Sequence, residues 1–528
     1  MWKHIGLALA AFVVAAPCAA RTIIVSKSAG DFSTVMAGLS AASPGDTVLV
    51  KSGVYGEFVE FPKSGSASGG AVTLKAFGDG AAVIDGSGLA ITQAAAQLVS
   101  IRGKSYVALI GLEIRNCITG NAGIFNKGIQ VEGGAHHITI RKCRIHAIEN
   151  NATSTTAGAN AVGVFGTEPD LPISDLIIDS CEIFDNKTGY SEAVSVDGNV
   201  DGFRITRCHV HDNNNIGILI AGSYGECDGC GPSDQARHGV IADNIVERCS
   251  SGKNSAYNGD WAADGIYSDG GGKSIIERNI ISECDIGIEA GAELARAVDD
   301  SMIIRDNLIY NCNTGGMFIG GYETGRGVAV HCTVLNNTFY LNDASNSGSG
   351  ELLIQKAHDN IVRNNIFYTT SQKTALSIAF SSAYSYNNTI ENNLFFSASG
   401  GAVGGAELDA RAIKKDPLFV NGGTNFRLKE GSPAINACFA DFQPAPGELD
   451  AGGNPRKAGA AVDIGAYEYG AAAVTKHIRE KTPSTATTPR LILTISPLRH
   501  PRMHVIGIAG KQVMPSGRML PLRRARGN

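Results

Sequence analysis

Two neighbouring stretches gather acids at spacings that could do chemistry: DGIYSDGG (264–271) carries Asp264 and Asp269, and GIEAGAE (287–293) carries Glu289 and Glu293. Two carboxyl groups facing one cavity suffice to break a glycosidic bond: one protonates the leaving oxygen while the other attacks the anomeric carbon or activates water. Asp269 and Glu289 are the expected catalytic pair, and Glu293 is the other partner open to Asp269. Trp261, the only tryptophan besides Trp2, stands just before them. Its indole is a flat apolar platform with a polar handle, suited to the C–H face of a sugar. Tyr267, Asp264, Tyr322 and Arg326 join it as expected substrate contacts. Hydrolysis by such a pair calls for no cofactor.

The same acids admit elimination from a uronic acid, which requires a neutralised sugar carboxylate and a base for the C5 proton. Asp197, Asp264 and Asp269 would then offer oxygens to Ca²⁺, with Lys356 or Arg326 as base or anion clamp. A noncatalytic surface that holds glycan, an adhesin, is a third reading, since acids on a solvated strand need no function and Asp-Gly is a common turn pair. His209 and His211, in RCHVHD, alternate onto one face in the manner of metal ligands. No third ligand is evident, so a surface pair is expected. Cys227 and Cys230 form a C-x-x-C pair without the second pair that structural zinc takes, which predicts a local disulfide or two free thiols.

These residues need a scaffold that lays distant segments side by side. The segments ITIRKCRIHAI (138–148), LIIDSCEIFDN (176–186), FRITRCHVHDN (203–213), IIERNIISEC (275–284), IIRDNLIYNC (303–312) and IVRNNIFYTT (361–370) share one plan: short strand, polar corner, short strand. The corner runs Cys143, Cys181, Cys208, Asn244, Asn279, Asn307, Asn337, Asn365, Asn393, at intervals mostly near thirty residues. One such unit cannot bury its apolar face alone, whereas coils stacked at about 4.8 Å bury a continuous core and pair every backbone. The expected fold is therefore all-β: a single right-handed parallel β-helix over residues 21–469. This solenoid has a short N-terminal helical cap at 32–43 and an irregular C-terminal cap at 416–469. Cys117 is expected at the corner of Cys143, Cys181 and Cys208, and Cys249, Cys284 and Cys312 at a second position five residues on, all as small buried side chains.

Along the strand after each corner, alternation sends Val194, Val196, Ile218, Ile220, Ile266, Ile288, Met317 and Ile319 inward. It sends Ser195, Asp197, Leu219, Ala221, Tyr267, Asp269, Glu289, Glu293, Phe318 and Tyr322 outward. Asp269 and Glu289 then occupy adjacent coils two residues out of step, with Cβ atoms roughly 8 Å apart. That separation admits both the retaining and the inverting geometry. The insertion holding Asp260, Trp261 and Asp264 is expected to project over the same face.

The opening TIIVSKSAGDFSTVMAGLSAASPGDTVLVKSGVY, followed by VTLKAFGDGAAVIDGSG, resembles the start of pectin-lyase-like β-helix proteins, and the resemblance covers about residues 22–469. That superfamily contains polysaccharide lyases, hydrolases, esterases and epimerases, so it implies a fold and a glycan partner without choosing a reaction. GIYSDGG with IIERNIISECDIGIEAGAE is similar to active-site coils of β-helical xylosidase-type glycoside hydrolases, which implies Asp269 as nucleophile and Glu289 as acid/base. Gly270 and Gly271 replace bulkier residues of that family, and the continuation from Ala290 to Glu293 differs.

Composition bounds the setting. Residues 1–20, MWKHIGLALAAFVVAAPCAA, have the form of a secretory signal, which predicts a secreted protein, extracellular or periplasmic. No later stretch approaches the roughly 20 apolar residues of a membrane helix. The net charge of -5 conceals an acidic body and a basic tail over 470–528, in which Glu480 is the single acid. The tail is expected to be disordered, and basic charge outside a folded face argues against nucleic acid as partner. The expected partner is a polysaccharide or oligosaccharide, bound by a monomer.

Overall fold

The computed structural model describes residues 20–369, 375–378, 383–397, 408–439 and 442–470. Residues 1–19 of the signal-like segment, and the tail beyond residue 470, lie outside the described residues.

The β-branched stretches either side of each corner form short strands that pair in parallel with the next coil. Ile138, Thr139, Ile140 and Arg141 lie against Leu176, Ile177, Ile178 and Asp179, which lie in turn against Phe203, Arg204, Ile205 and Thr206. Among the described residues this stacking builds three long parallel sheets of 13, 11 and 12 strands, here called I, II and III. They wind as a right-handed β-helix around one continuous apolar core.

Each coil turns from sheet I to sheet III at the expected corner. The residue just before it is left-handed in every coil from Lys142 to Asn392, with φ between 53 and 61° at Lys142, Ser180, Arg207, Asp243, Arg278, Asp306, Asn336, Asn364 and Asn392. Side chains adopt that conformation at a cost, and the corner offsets it with hydrogen bonds. Asn279 Nδ2 donates to Asn307 Oδ1 at 3.0 Å and to Ile241 O at 2.9 Å, and the same pattern continues through Asn337, Asn365 and Asn393. Buried amides are thus satisfied by their copies on the next coil.

Among the described residues the cysteines are buried and free, as expected, apart from Cys227 and Cys230, which are joined as a disulfide. One expectation fails. Leu112, not Cys117, precedes the strand Glu113–Thr119 at the corner above Cys143, and Cys117 pairs across from Ile148. The corner falls at Leu112, between the strands Ser105–Ile110 and Glu113–Thr119, so Cys117, five residues on, belongs to the second buried position.

At the N-terminal end, the helix Val35–Ala41 lies within the expected segment, capped by Thr34 Oγ1, which accepts from Ala37 N at 3.3 Å. Val35 and Leu39 close the first coil. Gly38 permits the close approach, since a Cβ there would stand 2.6 Å from Val25 Cγ2.

The irregular C-terminal segment contains the antiparallel pair Phe419–Asn421 and Asn425–Leu428. It is laid along the outside of sheet III. Phe419, Phe426, Leu428, Val462 and Ile464 pack on Leu308, Tyr310, Tyr340, Ile366, Tyr368 and Leu394, forming a second apolar cluster. Arg456 is fully buried there and bridges Asp306 at 3.0 Å and Glu468 at 3.3 Å.

Candidate active site

Sheet II carries the acids in the register the alternation predicts. Leu219, Tyr267, Glu289, Phe318 and Leu353 are successive cross-strand partners, while Ile266, Ile288 and Met317 face the core. Asp269 pairs with Gly291, two residues beyond the Tyr267–Glu289 pair. The Cβ atoms of Asp269 and Glu289 are therefore about 8 Å apart on adjacent coils.

Outward does not mean exposed. Asp269 is 0% exposed, Glu289 1%, Tyr267 2% and Phe318 5%. Insertions at the strand ends roof this part of the sheet, which period-two alternation cannot register. The loop at 222–235, held by its disulfide, delivers Tyr224, whose hydroxyl donates to Asp269 Oδ2. The loop after Ile286–Gly291 delivers Glu293, whose backbone N–H donates to Asp269 Oδ1 at 2.8 Å. Gln235 Nε2 ties the first loop down through Gly270 O at 2.9 Å and Gly271 O at 3.0 Å.

Tyr267 sits among these acids. Burial, then the charges of Asp269, Glu289 and Glu293, push its phenol well above the usual value. The phenol is thus a neutral donor, and its hydroxyl has no hydrogen-bond partner among the described residues.

Other expected contacts lie elsewhere. Trp261 is 49% exposed, with Nε1 2.1 Å from where a Cβ on Gly252 would sit, and its carbonyl accepts from Thr314 Oγ1 at 3.3 Å. Its loop is anchored by Asp285, which accepts from Ser250 Oγ at 2.7 Å, Ser251 N at 2.8 Å and Ala263 N at 3.0 Å. That places Trp261 before the start of the strand Asp264–Asp269, whereas Asp269 ends it. The strand alone is about 17 Å long, so the indole does not lie over Asp269. Asp264 is buried close to the Cys312 thiol, whose pKa is raised by burial first and then by Glu351, Asp285 and Asp264.

The Ca²⁺ set does not assemble. Asp264 and Asp269 sit at opposite ends of one strand, and Asp197 Oδ1 accepts from Gly198 N at 2.7 Å two coils away. Among the described residues no three carboxylates bring ligand oxygens within 4.8 Å of one another. Arg326 and Tyr322 brace the roof: the guanidinium lies 4.6 Å over the Tyr322 ring and donates to Glu293 O at 3.3 Å. Lys356 donates to the carbonyls of Thr324 and Arg326. Its ammonium is occupied with holding that loop, which removes it as a base.

Two residues of this face escape sequence reasoning. Tyr224 lies in an insertion without repeat. Lys127 is 5% exposed, with Nζ 3.9 Å from the centre of the Phe125 ring and 5.2 Å from that of Phe165. Burial lowers its pKa to about 8, against the pull of Glu226 and Glu132. Burial also raises Glu226 to about 7. Gly163 makes room, since a Cβ there would stand 3.1 Å from Lys127 Cδ and 2.6 Å from Phe165 Cε2. The lysine lies four strands from Asp269 along sheet II, about 19 Å at the usual spacing.

A family profile described as the right handed beta helix region matches residues 192–340. The uncharacterized protein YwoF of Bacillus subtilis (strain 168) is 30% identical over 324 residues, 61% of this chain and 67% of that protein. Among solved structures, pectate lyase Pel9A is 14% identical with a TM-score of 0.41, over 85% of this chain and 96% of its own. A GH136 lacto-N-biosidase from Eubacterium ramulus is 14% identical with a TM-score of 0.48, over 71% of this chain and 68% of its own.

Proposed function

The chain belongs to the right-handed β-helix family, one family with YwoF, and from the site it carries we propose a carbohydrate-active enzyme that hydrolyses a glycosidic bond. Asp269 is the nucleophile and Glu289 the acid/base. The observation that carries this reading is the enclosure of both carboxyl groups on adjacent coils of one outer face, together with the phenols of Tyr224 and Tyr267.

Asp269 Oδ1 accepts a hydrogen bond from Glu293 N, and Oδ2 accepts one from the Tyr224 hydroxyl. Those donors fix the carboxylate that attacks the anomeric carbon while the bond to the leaving oxygen breaks and Glu289 supplies that oxygen's proton. In the second half, water gives a proton to Glu289 and its oxygen displaces Asp269 from the anomeric carbon. The Tyr267 hydroxyl, a donor in an acidic chamber, is placed to bind a sugar oxygen. Carboxyl groups covered by loops suit a terminal sugar or an oligosaccharide better than the middle of a polymer, and this reading requires the loop carrying Tyr224 to open for substrate to enter. The signal-like residues 1–20 support export to the periplasm or exterior, where such glycans are met.

The test incubates the mature protein with plant, algal and bacterial glycans and measures reducing ends and ultraviolet absorbance together. New reducing ends without a chromophore are expected. Asp269→Gly loses turnover, and added azide restores cleavage as a glycosyl azide, which a merely structural Asp269 would not allow. Turnover retained in Asp269→Gly and in Glu289→Gln ends the assignment. Binding without any product supports the adhesin reading.

Elimination is the second reading, and its candidate base for the C5 proton is Lys127, the buried lysine of this face whose pKa burial lowers to about 8 and whose Nζ would have to give up its hydrogen bond to Phe125 O at 3.2 Å. It predicts an unsaturated product that Lys127→Ala abolishes and Asp269→Gly leaves intact.

A further inference from the structure

A cluster of ligand-type side chains lies on another side of the molecule. The strands Glu182–Phe184 and His209–His211 are neighbours in sheet III, with Glu182 opposite His209 and Phe184 opposite His211. Ile183 and Val210 fill the core, so alternation turns Glu182, His209 and His211 outward. They stand ahead of the coils that the C-terminal segment covers, which begin at Ile280. One ligand atom from each of the three lies within 4.8 Å of the others. Glu182 is thus the third ligand that the sequence around RCHVHD did not reveal, contributed by the preceding coil.

Each side chain is held by an outer partner. Arg144 Nε donates to Glu182 Oε2 at 2.7 Å, leaving Oε1 toward the histidines. His211 Nδ1 meets Asp212 Oδ2 at 2.7 Å, and His209 Nε2 meets Glu247 Oε1 at 3.0 Å. A carboxylate on one imidazole nitrogen fixes the N–H there and leaves a lone pair on the other, the arrangement that orients metal-binding histidines. His211 Nε2 is buried, has no hydrogen-bond partner among the described residues and lies 3.7 Å from Glu182 Oε1. The two imidazoles stack with centroids 3.9 Å apart.

We propose that Glu182, His209 and His211 bind one divalent transition-metal ion of the zinc class, with solvent completing its coordination. Two imidazole nitrogens and one carboxylate oxygen suit Zn²⁺, whereas Ca²⁺ takes oxygen ligands throughout. The ion ties two adjacent coils together through their side chains. It sits on sheet III while Asp269 sits on sheet II, so it takes no part in the hydrolysis proposed above.

The experiment uses the mature full chain, stripped with a chelator and dialysed, then titrated with Zn²⁺ by calorimetry and with Co²⁺ by visible absorption. One ion per chain, a ligand-field Co²⁺ band and a Tm raised by Zn²⁺ are expected. Glu182→Gln and His211→Ala each weaken Zn²⁺ binding at least about tenfold, with unchanged circular dichroism, while His136→Ala leaves it unchanged. Glycan hydrolysis survives all three. A missing Co²⁺ band overturns the proposal. So does equal Zn²⁺ affinity in a folded His209→Ala/His211→Ala protein, which would place the ion on other side chains.

Discussion

The asparagine corner and the chamber around Asp269 are equally buried, and they use burial in opposite ways. At the corner every amide meets its own copy one coil away, so repetition satisfies each polar atom. In the chamber acids gather within one another's field, and the Tyr267 hydroxyl has no partner among the described residues. Periodicity removes polar frustration; the interruption of periodicity by loops creates it and holds it in one place. Strain of the second kind concentrates at functional sites.

The contrast breaks most directly through activity. Asp269→Ala is expected to lower kcat by a thousandfold or more (~4 kcal/mol), while urea unfolding moves little because acids crowd one another there. Comparable loss of stability with kcat retained would make Asp269 a corner-like residue. The next largest effect concerns Lys127 on the same face, and it depends on pH. Its folded pKa lies below the ordinary lysine value, so the unfolded chain binds more protons between those two values. Wild-type stability therefore rises with pH from about 8 to about 10.4, by about 3 kcal/mol, relative to Lys127→Met. Urea titrations of both proteins at pH 7 and 10 measure the difference.

At the corner, Asn307→Ala leaves the Asn279 side chain and backbone N–H without their acceptor. A loss of about 2 kcal/mol is expected, with kcat of the folded fraction unchanged. The smallest effect sharpens the comparison within the chamber. Tyr224→Phe removes one hydrogen bond to Asp269, so kcat falls by about tenfold while KM and unfolding midpoint change little.

Much of the architecture was legible because it repeats. Nine corners spaced by a coil, each followed by alternating apolar residues, fix the inward and outward sides of sheet II, and Tyr267, Asp269 and Glu289 fall in the expected register. What the pattern could not convey is where insertions return. Tyr224 reaches Asp269 from a loop 45 residues earlier in the chain, and the loop of Trp261 is drawn to Asp285 instead of over Asp269. Cys117 resembles the corner cysteines in type alone, whereas the pairing of Ile148 with Cys117 sets its position. Glu182 escaped notice as a partner of His209 because ligands contributed by different coils are separated by a whole turn of sequence.

Arg456 gives the molecule an order of assembly. Coils growing from the amino end can stack as they emerge, each templated by its predecessor, yet Asp306 receives its buried counterion from a residue 150 positions later. Tyr310, Tyr340 and Tyr368 likewise wait for Phe419 and Phe426. A nascent or truncated chain ending before Phe419 would leave an open aromatic flank, a sticky surface for chaperones or for another copy of itself, and one ending before Arg456 would leave Asp306 buried without its counterion. The last stretch of the fold is the seal that ends that vulnerability.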